Sequence, residues 1–268
     1  MSNRSGGGIE RIVEADISRG VYSGAVTRVA QIGSRTIATA FSGIAAGQDI
    51  WPGTATEITL ASAGESWEIV CTNANDTLGG TGAETVSFTP LDSAYNPLPP
   101  VTVTLNGGTT AVPNGAVNLR INAAACGAVN PSAGRRRNLG DIRIQVAGGG
   151  GAANTIRGII PAYVGNLRQA CYTVAAGFTL EIPSLELQLL SSGGGTPRGA
   201  DGLLLFRASN GNVTAPRPIG TTDGQPYALE ARTMIRVNEK FDFIGQCIYT
   251  SNNNIQVGFS WEGWLYRN

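Results

Sequence analysis

Turn-forming residues, mainly glycine and proline, recur at short intervals along this chain. Their spacing constrains the fold more than any other feature of the sequence. The 268 residues include 37 glycines and 13 prolines, whereas only 14% are charged. Between the turns lie short β-prone runs that recur at intervals of about 8 to 15 residues, and no segment has a convincing helical period. The sequence therefore predicts an all-β protein made of antiparallel β-sandwich or jelly-roll-like domains.

The β-prone runs fall into two blocks that follow a different N-terminal segment. Residues 1–55 mix small residues with scattered isoleucine and valine. We expect them to form an extended N-terminal arm with a few short strands, held by a neighbouring subunit. Residues 56–150 are predicted to form a first β-sandwich domain, and residues 151–268 are predicted to form a second. The glycine run from Gly148 to Gly151 separates the two blocks.

The stretch NANDTLGGTG, from Asn73 to Gly82, is the part of the chain that most resembles a nucleotide-binding motif. A phosphate-binding loop requires a lysine and a helix directly after its glycines. Here the following residues alternate around Val86 and Phe88, which predicts a strand instead. We therefore interpret the stretch as a turn between two strands.

The residues of this turn have predicted roles and one alternative role. Positive φ angles are predicted at three glycines: Gly79, Gly80 and Gly82. Asn75 or Asp76 is predicted to form an Asx turn. The oxygen-bearing side chains of Asn73, Asn75 and Asp76 leave a calcium site open, although such a site would need more carboxylates. A second turn, NGG from Asn106 to Gly108, predicts a β-hairpin with a type I′ turn.

The chain contains no histidine. Ser-His-Asp and Cys-His nucleophile activation, imidazole acid–base catalysis and histidine-ligated metals are therefore excluded for this chain. Four cysteines lie far apart, without the C-x-x-C spacing of a metal or redox site: Cys71, Cys126, Cys171 and Cys247. We interpret them as reduced core residues. The sequence predicts no catalytic residues, no cofactor and no metal, and hence no enzyme.

The charges of the chain balance, with 19 basic and 19 acidic residues. A net charge of zero predicts neither specific nucleic-acid binding nor attraction to a membrane surface. No apolar run approaches the roughly 18 residues of a membrane span. The start MSNRSGGG has no apolar leader region, so we expect a cytosol-like compartment of synthesis.

Three further groups of residues are candidates for chemistry. Arg135, Arg136 and Arg137 could contact phosphates, but at zero net charge a solvated loop or an acidic neighbour is the favoured interpretation. Four carboxylates lack any spacing that marks a catalytic pair, although glycosidases have no such motif either: Glu181, Glu186, Asp201 and Asp223. The late aromatics are predicted to pack in the core, with a carbohydrate platform as the alternative: Phe259, Trp261, Trp264 and Tyr266.

Several phrases of the sequence together resemble virion structural proteins of tailed bacteriophages. The most specific phrase is WEIVCTNANDTLGGTGAETVSFTPLDSAYNPLPPVTVTLNGGT, with its Asp-Thr turn followed by a Thr-Leu-Asn-Gly segment. LRINAA, the Gly140 to Ile142 strand, YTVAAGFT and VNEKFDF extend the likeness over roughly residues 50 to 260. Ala175 and Phe178 depart from the pattern, in which proline and lysine are common, and these departures affect only details of loop geometry.

The resemblance implies a virion building block located on the capsid exterior and assembled in the host cytoplasm. The expected function is that of a head decoration or cement protein that binds the major capsid protein and itself, as a homodimer or homotrimer. The alternative is a tail or head-fibre subunit that attaches to host-surface glycans. A glycan hydrolase is the third possibility.

Overall fold

The computed structural model describes residues 26–43, 47–128, 137–192, 199–209, 211, 213–221, 227–251 and 253–268. These residues contain seventeen β-strands. The first nine are β1 (Val26–Ile37), β2 (Phe41–Ser42), β3 (Gln48–Asp49), β4 (Trp67–Cys71), β5 (Thr85–Leu91), β6 (Val101–Thr104), β7 (Thr109–Ala111), β8 (Arg120–Gly127) and β9 (Ile142–Val146). The others are β10 (Ile156–Ile160), β11 (Cys171–Thr173), β12 (Phe178–Ser192), β13 (Ala200–Ala208), β14 (Val213–Thr221), β15 (Tyr227–Val237), β16 (Phe241–Thr250) and β17 (Ile255–Arg267).

Every strand pair in the described ranges is antiparallel. The one helical element in these ranges is a single 3₁₀ turn, Ala153–Thr155. Within the part of the chain that the structure describes, no helix has the length and apolar character needed to cross a membrane. The prediction of an all-β fold made of antiparallel sheets is confirmed.

The larger sandwich consists of two stacked sheets. One has the strand order β1-β17-β12-β15, and the other has the order β11-β16-β13-β14, with β2 and β3 also paired to β16. Burial alternates along β1, because Gly33 and Ile37 face the second sheet while Ile32 and Thr36 face outward. The core between the sheets is built from large side chains of both: Leu180, Leu204, Phe243, Phe259 and Trp261.

The smaller sandwich stacks a sheet of order β10-β9-β4-β7 on a sheet of order β6-β5-β8. In β4, Trp67 and Ile69 are buried and Glu68 is only half-buried, which is the period-2 pattern that the sequence shows. The ring of Trp67 packs against that of Phe88 in β5, with centroids 6.1 Å apart. Burying such aromatic side chains supplies much of the free energy that holds the two sheets together.

Strand pairing crosses both of the domain boundaries predicted from the sequence. β1 lies within residues 1–55 but pairs with β17 along its whole length, so residues 26–37 form a long strand where an arm-like conformation was expected. β10 lies within residues 151–268 but pairs with β9 of the smaller sandwich. The observed sandwiches thus consist of β4 to β10, and of β1 to β3 with β11 to β17. Residues 1–25 lie outside the described ranges, and the bounds of the folding domains stay a prediction.

The predicted hairpin at Asn106 to Gly108 is wrong, because the strands on its two sides belong to different sheets. β6 pairs with β5, whereas β7 pairs with β4. Gly107 has a positive φ of 75°, as a tight turn requires. A Cβ on Gly107 would collide with the carbonyl group of Ala74, so the turn is held against the NANDTLGGTG loop. Asn106 lacks the positive φ that a type I′ turn also requires, so the predicted turn type is wrong as well. The turn carries the chain from one sheet to the other.

Gly33 is the position where β1 passes closest to the opposite sheet, and this contact yields a prediction. A methyl group on Gly33 would lie 2.7 Å from the carbonyl oxygen of Ile50 and would also meet the backbone nitrogen of Ala170. Backbone atoms cannot yield as a flexible side chain can, so we expect Gly33→Ala to lower the free energy of unfolding by about 1–3 kcal/mol. Urea unfolding of the purified chain measures this loss.

The matched control is Ser34→Ala, which changes the next residue on the opposite, half-buried side of β1. This control should leave the free energy of unfolding nearly unchanged. Equal stability of the two variants would contradict the close approach at Gly33.

Candidate interaction site

The start of β8 joins the two sandwiches through a buried ion pair. Arg120, in β8, donates two hydrogen bonds to the carboxylate of Asp242, in β16, at 3.0 and 3.1 Å. Their side chains are only 8% and 1% exposed. Arg120 also donates to the carbonyl oxygen of Ala61, and the hydroxyl of Thr173 donates to Asp242 at 2.5 Å. The partners satisfy both buried charges, which is the condition for such a pair to be stable.

The electrostatics of Arg120 depend on this pairing. Burial alone would lower the pKa of the guanidinium, but hydrogen bonds to Asp242 and its charge outweigh burial and raise the pKa. The guanidinium also lies over the ring of Tyr95, 5.7 Å from its centroid. Tyr95 has a φ of 69° and accepts a hydrogen bond from the N–H of Ala176. A loop of the smaller sandwich is thereby pinned to the larger one.

Asn122 extends this joint along β8. Its side-chain amide exchanges two hydrogen bonds with the backbone of Thr173, at 2.8 and 2.7 Å, and so caps the edge of β11. Its backbone oxygen accepts a hydrogen bond from the side-chain amide of Gln31 in β1. Gln169 donates to the backbone oxygen of Ile121. Three successive residues of β8 therefore hold three segments of the larger sandwich.

An apolar cluster seals the joint beside these polar contacts. Trp51 and Ile58, in the segment after β3, pack with Ile159 of β10 and Ile244 of β16. All four side chains are at least 95% buried. Since β10 belongs to the smaller sandwich and β16 to the larger one, this cluster spans both. The two sandwiches therefore share a continuous buried interface.

Beyond the joint, the sandwiches diverge and leave a groove of about 800 Å³. One wall is the edge of β1, at residues 28–32, and the other is formed by β5, β8 and the segment at residues 166–168. The lining includes Phe88, Ala123 and Tyr172 and is mainly apolar. Two arginines and no carboxylate line it: Arg28 and Arg168. Arg28 is already paired with Glu262. The groove thus offers apolar surface and the positive charge of Arg168 to an extended, acidic ligand.

Asp49 is a second buried carboxyl group, and it lies near the start of the larger sandwich. Its oxygens accept hydrogen bonds from the N–H of Ile58 and the side chain of Gln246. Burial is the largest influence and raises the pKa of Asp49 to about 6, although these hydrogen bonds and Arg207 lower it. Glu57 also raises this pKa. Asp49 therefore titrates closer to neutrality than an ordinary aspartate.

The NANDTLGGTG loop is a turn between β4 and β5, as predicted. A positive φ is confirmed at Gly79 alone, where it is 73°. Gly80 and Gly82 are needed for a different reason, because a Cβ on either would collide with its neighbours. These neighbours are the backbone oxygen of Asn75 and the carboxylate of Asp76. Two of the three glycines therefore provide space for close packing.

Asp76 organises this turn and is not placed to bind calcium. Its buried carboxylate accepts hydrogen bonds from the N–H groups of Ala83, Leu139 and Gly140, at 2.8 to 2.9 Å. The local Asx turn is made by Asn73, which accepts the N–H two residues later. In the described ranges, no group of three or more Cys, Asp or Glu side chains could hold a metal. The calcium alternative therefore has no geometric support.

The other predicted candidates are dispersed. Arg137 is exposed, and Arg135 and Arg136 lie outside the described residues. Glu181 and Glu186 are half-buried on β12, Asp201 is exposed on β13, and Asp223 lies outside the described residues. Burial, and then the charge and hydrogen bond of Glu181, raise the pKa of Tyr266 to about 12. The described carboxylates are spread over two strands and form no cluster with a thiol or a third acid.

The late aromatic residues divide between two faces of β17. Phe259 and Trp261 share the inner face, as predicted, and are 1% and 4% exposed. The ring of Trp261 packs edge-on against Tyr172, with centroids 5.3 Å apart. Trp264 and Tyr266 lie on the outer face and are half-buried. Core packing is therefore confirmed for the inner pair only.

The four cysteines are all unpaired by disulfides. Cys71, Cys171 and Cys247 are buried, as predicted, whereas Cys126 is partly exposed. Burial raises the pKa of Cys71, Cys126 and Cys247 to about 12 and raises that of Cys171 as well. The thiols therefore stay protonated near neutral pH and are poor nucleophiles.

Sequence reasoning missed the residues that build the joint. The sequence gives no signal for Arg120 and Asp242, because each occupies a polar position of an alternating run, in NLRINA and KFDFIG. Such a position predicts an exposed side chain, whereas both residues are buried. Nothing in the sequence distinguishes Asn122 or Gln31 from ordinary strand residues. Their role follows only from the way the two sandwiches meet.

Comparison with known proteins gives only weak similarities. No protein-family model matches the chain, and no curated protein matches it. Among solved structures, infectious bursal disease virus Gt strain aligns at 11% identity over 90% of this chain and 72% of that chain, with a TM-score of 0.22. The T13 particle of this virus aligns at 9% identity over 90% and 69%, with a TM-score of 0.26. Its VP2 subviral particle aligns at 12% identity over 90% and 71%, with a TM-score of 0.21. Scores this low do not establish a shared fold.

The buried ion pair yields a prediction for stability. Asp242→Ala leaves the guanidinium of Arg120 buried without its partner, so we expect a loss of about 3–5 kcal/mol in the free energy of unfolding. Urea unfolding at neutral pH measures the loss. The control is Glu262→Ala, which removes a pair with Arg28; the side chains of Arg28 and Glu262 are 62% and 37% exposed. The control should have no measurable effect, and a similarly small effect of Asp242→Ala would contradict the role of the pair.

Asp49 yields a prediction for the pH dependence of stability. Its folded-state pKa of about 6 exceeds the ordinary value of 3.8, so the folded protein binds the proton more tightly than the unfolded chain. This tighter proton binding raises the free energy of unfolding by an amount on the order of 3 kcal/mol. The contribution is fully present below pH 4 and is lost as the pH rises through 6. Asp49→Asn cannot ionise and avoids this loss.

The measurement is urea unfolding of both proteins between pH 4 and pH 7. We expect the stability of Asp49→Asn relative to the unsubstituted chain to increase across this range. Asp201→Asn, which removes an exposed charge from β13, is the control for a change of net charge. A constant difference between Asp49→Asn and the unsubstituted chain would show that Asp49 is not the titrating group.

Proposed function

We propose that the chain is a structural component of a tailed-bacteriophage virion. Its most specific form is a head decoration or cement protein that binds the outer surface of the major capsid lattice and stabilises it. The observation that carries the proposal is the buried joint around Arg120 and Asp242, which connects the two sandwiches. A subunit that is already ordered by such contacts loses less conformational entropy when it binds, so less of the contact free energy is spent on ordering it.

The mechanism is stabilisation by mass action. A protein that binds the assembled lattice and not its separated subunits shifts the equilibrium toward assembly. Modest contacts are sufficient when they are repeated by symmetry over a closed shell. We infer self-association as a homodimer or homotrimer, since identical subunits most often assemble through symmetric contacts. The protein would be assembled in the host cytoplasm and located on the capsid exterior.

The chemistry of the described residues favours binding over catalysis. The thiols are protonated near neutral pH, and Asp242 is held by Arg120 and Thr173. Asp76 is likewise occupied by three backbone donors. We therefore infer a protein that uses no cofactor or metal and that does not act as an enzyme. Turnover of a host polysaccharide by the isolated chain would overturn this inference.

A tail or head-fibre subunit is the second candidate function. The observation that favours it is the half-buried pair of Trp264 and Tyr266 on the outer face of β17, beside Glu181. Aromatic faces next to a carboxylate are suited to bind sugar rings and their hydroxyl groups. In this alternative the larger sandwich attaches the particle to host-surface glycans.

The copy number of the chain per particle tests the proposal. Quantitative mass spectrometry of purified virions that carry the chain should give an amount comparable to that of the major capsid protein. Adding the purified protein to expanded capsids that lack it should raise the temperature at which they come apart. An amount matching the few copies of a tail component would favour the fibre alternative. Absence of the chain from the particle would overturn both.

A further inference from the structure

The edge of β1 that faces the groove pairs with no strand in the described part of the chain. β17 occupies the other edge from Val26 to Ile37. Alternate backbone N–H and C=O groups of an edge strand point outward and can pair with a further extended segment. Ile32, on this strand, lines the mainly apolar groove and is 48% exposed, so it adds to the apolar surface of the groove. The β1 edge thus has both the backbone and the apolar surface of a docking site.

A buried polar atom in the groove also lacks a partner. Gln31 lines the groove and is only 8% exposed. Its side-chain nitrogen donates to the backbone of Asn122, but its side-chain oxygen accepts no hydrogen bond from any described residue. An unsatisfied acceptor at this depth costs free energy unless a donor reaches it. A peptide N–H or a hydroxyl on a bound segment would supply that donor.

The positive charge in the groove lining favours an extended segment that carries acidic side chains. Arg28 and Arg168 line it. Arg28 is paired with Glu262, whereas Arg168 has no carboxylate partner among the described residues. Residues 9–17 of this chain read IERIVEADI, with three acidic residues, one arginine and four large aliphatic side chains. These residues lie outside the described ranges. Their combination of negative charge and apolar side chains complements the groove.

The connection to β1 makes the chain's own segment the favoured occupant. Residues 18–25 link the segment to Val26, and eight residues can span about 26 Å, whereas Arg28 lies only two residues into β1. A segment on a short tether acts at an effective concentration in the mM range. The same segment from a second copy, at micromolar protein, is on the order of a thousandfold more dilute.

We propose that the groove between the sandwiches binds residues 9–17 of the same chain as an added strand along the free edge of β1. The bound segment covers Ile32, places an acidic side chain near Arg168, and supplies a donor to Gln31. It also blocks an edge that would otherwise pair with other chains. The inference is independent of the virion role, because it concerns the isolated chain.

Hydrogen exchange of the amides of residues 28–32 tests the proposal. We compare the full chain with a truncation that lacks residues 1–25 and keeps β1 intact. The full chain should exchange at least tenfold more slowly at alternate positions. A synthetic peptide of residues 9–17 should restore the protection to the truncated protein, whereas a scrambled peptide of the same composition should not. Equal exchange in the two proteins, or equal binding of the two peptides, would overturn the proposal.

Substitutions locate the site without a truncation. Arg168→Glu in the groove should weaken binding of the peptide severalfold, and Ala123→Trp should block it. Arg137→Glu, an exposed arginine outside the lining, is the matched control and should have no effect. In the full chain, replacing Glu10, Glu14 and Asp16 with lysine should abolish the protection of β1. Retained protection in that variant would refute the charge argument.

The protein concentration separates the chain's own segment from that of a second copy. Protection in the full chain should be unchanged on dilution, and light scattering should show no dimer that depends on residues 1–25. Protection that falls on dilution together with such a dimer would identify the second copy as the occupant and overturn the proposal. Urea unfolding of each variant verifies that the sandwiches remain folded.

Discussion

The buried ion pair between Arg120 and Asp242 is the contact on which the rest of the architecture depends. Each sandwich has a core of its own. The pair fixes how the two meet, because a small displacement of β8 from β16 would leave two buried charges without their partners. Asn122 and the apolar cluster around Trp51 add directional bonds and buried area at the same place. The sandwiches are thereby locked at one orientation.

The position of this joint also creates the groove. Polar contacts fix β8 to the larger sandwich only at residues 120–122, so the rest of β8 diverges from β1. The wall opposite β1 includes Pro97 and Pro100, which have no N–H to offer to a bound strand. These two positions of the wall cannot donate to a bound strand, whereas the β1 edge can. The edge strand β14 differs, because Pro216 and Pro218 interrupt its row of donors. The β14 edge of the larger sandwich is therefore poorly suited to pair with another strand, whereas the β1 edge can pair.

Local pattern predicted most of the strands because their alternation is simple. The run YALEARTMIRV coincides with β15, Tyr227–Val237. β1 escaped prediction since its core-facing positions include Gln31, Gly33 and Arg35, which do not look apolar in a sequence. Polar residues can be buried there because neighbours satisfy them: Arg35 donates hydrogen bonds to Gln48 and to two backbone oxygens. β14 was missed for a related reason, since prolines argue against a strand unless it lies at an edge.

The candidate site could not be predicted in the same way, because its contacts join residues that are far apart in the chain. Arg120 and Asp242 are separated by 122 positions, and Gln31 and Asn122 by 91. Each strand reveals which of its faces is buried, but not which other sandwich that face will meet. The groove is even harder to predict from the sequence, because its shape depends on where the joint ends and not on any motif among its lining residues. A function that depends on binding surfaces is therefore much harder to recognise in a sequence than one that depends on a cluster of catalytic residues.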